Sequence, residues 1–470
     1  MQDRAKKSDL NISTKSFILA IVIIFALMLL TYALTFAVPG GEYARKADDA
    51  GNLIIDTEAG FSYTEGGIPF VKWILSPILV LGSAGNGALI AVIIFLLVIG
   101  GVFNSLNKSG LMLYMLDKIV YKFGGVKYRL MAVLIFFFMC MGSLVGSFEE
   151  VVPMVPLIVS LAIGLGWDAE TGVAVSLLAT GSGFAAGVAN PFTIGVAQGL
   201  AGLPMFSGIW LRLVSFVLIY ALLLSFIMLY AKKIEKATDI REKGEANYLK
   251  NPAMERGLRA FAVILGIGIL LILSSGFIPA IRDFTMIIVA VMFLAAGVVS
   301  VLSAGMKFSE LASTFINGLI AILPSVIMIL MAASIKYTMT EAKILDTMLH
   351  AAVEAASGMS PSLLILFIYL ICLVMNFFIP SGSAKAFLLI PLIVPLAKIF
   401  GISSQLCIVA FAFGDGFSNV FYPTNPVLLI SIGLAGISYG RWAKFSFKFQ
   451  LMNLVLTSLI LLLGLAVNYA

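Results

Sequence analysis

Pro156-Leu157-Ile158-Val159 returns as Pro391-Leu392-Ile393-Val394, an offset of 235 residues and half the length of this 470-residue chain. At the same offset Leu161-Ala162 recurs as Leu396-Ala397, Gly166 as Gly401, Gly181 as Gly416, and Asn190-Pro191 as Asn425-Pro426. That makes 10 identities in the 36 positions from 156 to 191. Pro, Gly and Asn are not residues that shared hydrophobicity alone would align.

Composition says what kind of chain is being repeated. Apolar residues make up 61% and charged residues 11%, where a soluble domain carries roughly 45–50% and about 25%. This excludes a soluble enzyme, a disordered chain and a nucleic-acid binder. The net charge of +6 is no nucleic-acid signal, because the basic residues fall in short loops between apolar runs. A helical span needs about 20 apolar residues. Such runs occur at 16–38, 87–106, 170–198, 208–231, 258–278, 285–303, 315–336, 405–432 and 446–468. The first is too long for a signal-peptide core and is kept as a span. Segment 68–83, broken by Lys72 and Pro77, reads as an interfacial helix or a partial span. Cys140, Cys372 and Cys407 lie in apolar stretches with no CxxC spacing, so neither a disulfide framework nor a zinc site is expected.

Basic loops mark the cytoplasmic side. Residues 1–15, 107–129, 232–259 and 441–448 are basic, and 39–68 is acidic. One topology satisfies all five: N-terminus inside, nine crossings, two re-entrant stretches, C-terminus outside. Five crossings then separate the equivalent points 170 and 405, and an odd number inverts the second copy. The expected fold is therefore an all-α polytopic membrane protein with an inverted-topology repeat, a pattern found in secondary transporters. The expected organisation is a first repeat over 1–232, a cytoplasmic linker over 233–257 and a second repeat over 258–470. Residues 343–356 and their counterparts 108–123 read as interfacial amphipathic helices. His350 is expected to be solvated on the polar face of its helix, and Lys398 and Arg212 to mark membrane surfaces.

Two apolar stretches, 129–166 and 362–400, are interrupted in the middle by Gly146-Ser147-Phe148-Glu149-Glu150 and by Ser381-Gly382-Ser383-Ala384-Lys385. They read as helical hairpins whose tips expose backbone groups that bare lipid cannot satisfy. Spans 170–198 and 405–432 are broken as well. Asn190-Pro191-Phe192-Thr193 interrupts the first, and Gly414-Asp415-Gly416, Asn419 and Thr424-Asn425-Pro426 interrupt the second. A Pro inside a span frees a carbonyl. With Asn and Thr beside it, each break reads as a ligand-coordinating site. The plainer alternative is a Pro kink packed by small residues, with Gly183/Gly187 and Gly195/Gly199 serving helix contact.

Glu149, Glu150, Lys385 and Asp415 lie far from any obvious loop. A charge at the bilayer centre costs at least about 2.5–3.5 kcal/mol, so a functional reading is the default. The alternatives are that the two glutamates reach cytoplasmic water and that Lys385 snorkels outward. No GxxxxGK[ST] loop, Ser/His/Asp set or HExxH occurs, which argues against ATP hydrolysis and an intramembrane hydrolase.

These motifs, with Val38-Pro39-Gly40-Gly41-Glu42-Tyr43, Gly100-Gly101-Val102-Phe103 and Tyr422-Pro423-Thr424-Asn425-Pro426, resemble the YfcC/ArcD-like bacterial carriers. Those are related to the anaerobic C4-dicarboxylate carriers of the DcuC type, within the ion-transporter superfamily. The resemblance implies the bacterial inner membrane and an elevator mechanism. It also implies a homodimer with the amphipathic helices at its seam. Sodium-coupled relatives carry Ser-Asn-Thr at both tips. Here the tips read Ser147-Phe148-Glu149 and Ser381-Gly382-Ser383. By that analogy a coupling Na⁺ would sit near Ser147, Asn190, Ser383 and Asn425, and H⁺ is the other candidate. No organic cofactor and no nucleic-acid partner is expected.

Glu149 and Glu150 would repel a dicarboxylate, which favours a positively charged cargo. The leading expectation is an exchanger of basic amino acids such as arginine and ornithine. Glu149, Glu150 and Asp415 would meet the cationic groups. Ser381, Gly382, Ser383 and Lys385 would hold the α-carboxylate. Ser147, Asn190, Thr193, Asn419, Thr424 and Asn425 would complete the cage. The alternative keeps the fold and carries C4-dicarboxylates or other organic anions with Na⁺ or H⁺. A channel or membrane-embedded enzyme is the third reading, and two closed tips argue against a channel.

Overall fold

The computed structural model describes residues 14–47, 53–56, 59–83, 87–146, 148–204, 206–235, 251–275, 285–356 and 358–469. Helix makes up 80% of it, so four short strands are an addition to an all-helical body. Helix is what these apolar runs must form, because in lipid each backbone N–H needs a partner within its own segment. Six described helices are long and apolar enough to cross a membrane: Lys127–Val145, Ile209–Ile234, Phe308–Glu341, Pro361–Phe378, Gly382–Ile399 and Tyr439–Ala466. The protein is a multi-pass membrane protein.

One group of helices, Thr14–Ala37, Gly87–Lys108, Pro252–Ser275, Thr285–Ser303 and Phe308–Glu341, packs on itself. Small residues let the backbones touch. A Cβ on Gly318 would lie 2.2 Å from the Gly100 carbonyl oxygen, and Asn104 Nδ2 donates to the Thr314 carbonyl at 2.6 Å. Phe308–Glu341 runs unbroken through Pro324, well beyond the expected 315–336. Pro252–Ser275 begins inside the stretch read as linker, of which 236–250 lie outside the described residues. Segment 68–83 forms three short pieces, Phe70–Ile74, Ser76–Leu79 and Val80–Gly82, anchored by the buried Trp73 stacked on Tyr32 at 4.6 Å.

Both amphipathic helices are present as Leu111–Phe123 and Leu345–Ala355. On the first, Tyr114 donates to Glu255 at 2.8 Å and Lys118 pairs with the same carboxylate. The Lys118 ammonium, helped by the Tyr114 hydroxyl, holds the Glu255 carboxyl below its usual range. On the second lies a cap of two antiparallel strand pairs. Strand β1 (Gly41–Tyr43) pairs with β4 (Phe61–Tyr63), and β2 (Arg45–Ala47) with β3 (Leu53–Ile55). Asp346 accepts from the Tyr43 N–H at 3.0 Å and pairs with Arg45 at 2.8 Å. His350 is not simply solvated. Its Nδ1 lies 3.0 Å from the Tyr43 hydroxyl, and its ring stacks on Phe61 with centroids 4.1 Å apart. Burial and the charges of Asp346 and Glu354 push the Tyr43 hydroxyl up to about 12. The expectation failed because nothing local to the helix reports that the acidic segment folds back over it.

Candidate functional site

The first polar tip begins where Lys127–Cys140 loosens into a wide turn, Met141–Val145, and reverses at Gly146, whose φ of 75° is left-handed. A side chain there would meet the neighbouring break, since a Cβ would lie 2.4 Å from Asn190 Oδ1. Ser143 pins the tip to that break: its hydroxyl accepts from the Val188 N–H at 3.0 Å and its carbonyl from Ala189 at 3.0 Å. Glu150 is nearly buried and accepts from the Phe148 N–H at 3.1 Å. Glu149 is half-buried. Ser147 lies outside the described residues.

The first broken helix stops at Ala186 because Gly187, at φ 50°, turns the chain out of the helix. It restarts at Pro191, where Asn190 Oδ1 accepts from the N–H groups of Phe192 at 2.9 Å and Thr193 at 3.3 Å. This is side-chain N-capping, with proline at the first position, where its missing N–H costs nothing. Asn190 Nδ2 and Thr193 Oγ1 are buried with no partner among the described residues. Gly183 does serve close packing, since its Cβ would lie 2.0 Å from the Met139 carbonyl oxygen. Gly199 has open space instead.

The second broken helix ends its first half at Gly416, makes a 3₁₀ turn at Ser418–Val420 and restarts at Pro426. Asn425 repeats the cap, accepting from Val427 at 2.9 Å and Leu428 at 3.4 Å. Unlike Asn190, it also donates through Nδ2 to Asn419 Oδ1 at 2.9 Å. Thr424 Oγ1 is buried without a partner among the described residues. The two broken helices cross almost in backbone contact. A Cβ on Gly416 would lie 2.3 Å from the Ala185 backbone, and one on Gly181 would lie 2.4 Å from Val420 Cγ1.

Lys385 and Asp415 meet at this crossing. Lys385 Nζ donates to Asp415 Oδ1 at 2.6 Å, and both side chains are 0% exposed. The lysine therefore does not snorkel outward. Nor are the two charges separately committed to opposite ends of a solute, because each neutralises the other. Asp415 lies about 16 Å along its helix from Ser404, so the second tip meets the broken helices near their middles. Gly382 makes that approach possible. A Cβ on it would lie 2.6 Å from Asp415 Oδ2 and 2.7 Å from Thr193 Cγ2. Ser383 is half-buried beside it, and Ser381 stands exposed at the rim. Asp415 Oδ2 is buried with no partner among the described residues. Burying such an oxygen without a hydrogen bond costs about 1–3 kcal/mol.

Two further residues were not among the site candidates read from the sequence. Asn376 is the hub of this centre. Its Nδ2, with two hydrogens to donate, lies within hydrogen-bond reach of three oxygens, the Asp415 carbonyl at 3.0 Å, Ser418 Oγ at 2.7 Å and Asn419 Oδ1 at 2.9 Å, and its Oδ1 accepts from Lys385. A lone Asn in the apolar arm Pro361–Phe378 was the available signal. Arg212 does not mark a membrane surface. It is fully buried, and its Nε donates to the Val188 carbonyl in the first break at 3.2 Å. A basic residue near the start of a span looks the same in sequence whether it faces headgroups or protein.

The family model described as C4-dicarboxylate anaerobic carrier, DcuC, matches residues 17–466. This chain belongs to the DcuC family. It is a carrier rather than an enzyme. An Escherichia coli relative, named "Putative basic amino acid antiporter YfcC", is 30% identical over 76% of this chain and 74% of its own length. An uncharacterised Haemophilus influenzae protein is 24% identical over 94% of this chain and 95% of its own. Two solved transporters are similar at lower identity. They are YdaH of Alcanivorax borkumensis (18% identity, 96% of this chain and 98% of that one, TM-score 0.42) and the Neisseria gonorrhoeae efflux pump MtrF (17%, 94% of each, TM-score 0.43). In this DcuC-family carrier the second tip and the two breaks thus bring one carboxylate, one ammonium and several unpaired polar atoms together at one buried crossing.

Proposed function

We propose that this carrier is a secondary active transporter of small amino-acid-like solutes, exchanging basic amino acids such as arginine and ornithine. The charge balance of the tips carries this reading. Lys385 is matched by Asp415, which leaves Glu149 without a cation among the described ion pairs. A cargo with positive charge restores the balance where a dicarboxylate would worsen it. The name of the E. coli relative points the same way. Thr193, Thr424 and the free oxygen of Asp415 supply acceptors for an ammonium group. Asn419 and Asn425 hold the break open beside them, and Gly382, Ser381 and Ser383 form the tip that closes over it.

The mechanism we propose is an elevator. The hairpins and broken helices form the moving body, and the glycine-packed bundle of Phe308–Glu341 and its neighbours forms the scaffold of a homodimer. Residues 1–232 and 258–470 are two inverted repeats joined by 233–257. The N-terminus faces the cytoplasm and the C-terminus the outside of a bacterial inner membrane. The second reading rests on the family description: a Na⁺- or H⁺-coupled C4-dicarboxylate carrier, with the ion near Ser147, Asn190, Ser383 and Asn425.

Counterflow in proteoliposomes separates the two. Vesicles loaded with unlabelled arginine are expected to accumulate labelled arginine, with ornithine competing and Na⁺ making no difference. Accumulation by succinate-loaded vesicles alone, and only with Na⁺, would replace the first reading by the second.

A further inference from the structure

Most buried charges among the described residues meet an opposite charge. Glu170 pairs with Arg441, Asp346 with Arg45, and Asp415 with Lys385. Glu150 accepts from a backbone N–H. Arg212 is 0% exposed and pairs with no carboxylate among the described residues. Its partners are carbonyl oxygens: Val188 at 3.2 Å, Phe206 at 3.2 Å and Ser207 at 2.9 Å. Its Nη1 has no partner among the described residues. A buried unmatched cation in a membrane protein is expensive, and function is the default explanation.

The position of Arg212 suggests what it waits for. It grips the first break at Val188, two residues before Asn190, whose Nδ2 is likewise buried and unpaired. Two orphan N–H donors therefore belong to the first break and to the side chain that grips it. Asp415 Oδ2 and the Thr193 and Thr424 hydroxyls are likewise buried without partners among the described residues.

We infer that Arg212, with Asn190, binds the carboxylate of the transported solute, the role that Lys385 cannot fill while it neutralises Asp415. This rests on the amino-acid reading for the choice of solute and deepens it. Guanidinium suits the task because its planar fork can use one edge on carbonyls and present another N–H to a carboxylate.

The test compares arginine with arginine methyl ester as competitors of arginine counterflow by the full-length protein in proteoliposomes. Wild type is expected to prefer the free acid about tenfold or more. Arg212→Gln should raise the KM for arginine to that of the ester and leave ester competition unchanged, with Arg212→Lys in between. Arginine and ester weakened equally, or an unchanged acid-to-ester ratio, would overturn the inference and leave Arg212 as a staple of the break. Size-exclusion profiles and thermal unfolding identify a variant that fails to fold, in which case Arg212→Lys decides by the same ratio. If wild type carries succinate instead, the amino-acid reading fails separately. Arg212 is then judged by succinate against its monomethyl ester. Uptake of neither by folded protein overturns both.

Discussion

The break at 187–190 and the break at 417–425 use one device: an Asn side chain caps the helix that restarts with proline. They then diverge. The second is wired, with Asn425, Asn419, Asn376 and Ser418 bonded into one network around the Lys385–Asp415 pair. The first is left open, with Asn190 Nδ2 and Thr193 Oγ1 unpaired and a neighbouring guanidinium unmatched. The Asn-Pro pair common to both segments builds the backbone of each break. The residues that differ between the two segments set its charge.

The largest effect expected from this contrast is at the charge pair. Asp415→Asn should abolish counterflow. Lys385→Met alone should cost about 3–5 kcal/mol of stability by stranding a buried carboxylate, read as a lowered unfolding temperature in detergent. Lys385→Met combined with Asp415→Leu should recover the fold and not the transport. Recovery of transport in that double variant would make the pair purely structural and erase the difference between the two breaks.

The tips should respond next, and differently. Gly382→Ala forces a methyl against Asp415 and Thr193, so uptake should fall about 10- to 100-fold, the range that a misplacement of about 1 Å produces, with the fold retained. Gly146→Ala adds left-handed strain to its clash with Asn190 and should cost stability as well, by about 1–3 kcal/mol. Equal stability losses at both tips would blur the distinction.

The smallest effect is at the caps. Asn190→Ala should cost about 0.5–2 kcal/mol, the range for a lost N-cap. Asn425→Ala should cost more, because its amide also holds Asn419. The reverse order, measured by thermal unfolding of both variants, would place the wired half at the first break.

Much of this was written in the chain itself. Apolar runs with few charges leave backbone groups no partners except within helices, so the all-helical membrane body follows from composition. The Asn-Pro pairs fix where two of those helices break, since proline cannot donate and asparagine can cap. The glycines and carboxylates of the tips could be named as site candidates one by one. Which of them face each other is a property of the packed molecule. Lys385 and Asp415 are 30 residues apart in sequence and carry charges that could each have met a solute. Only the approach of Gly382 to the crossing makes them partners. Arg212 and His350 show the same limit: burial is decided by what folds over a residue from elsewhere. A single segment carries no record of its neighbours in space.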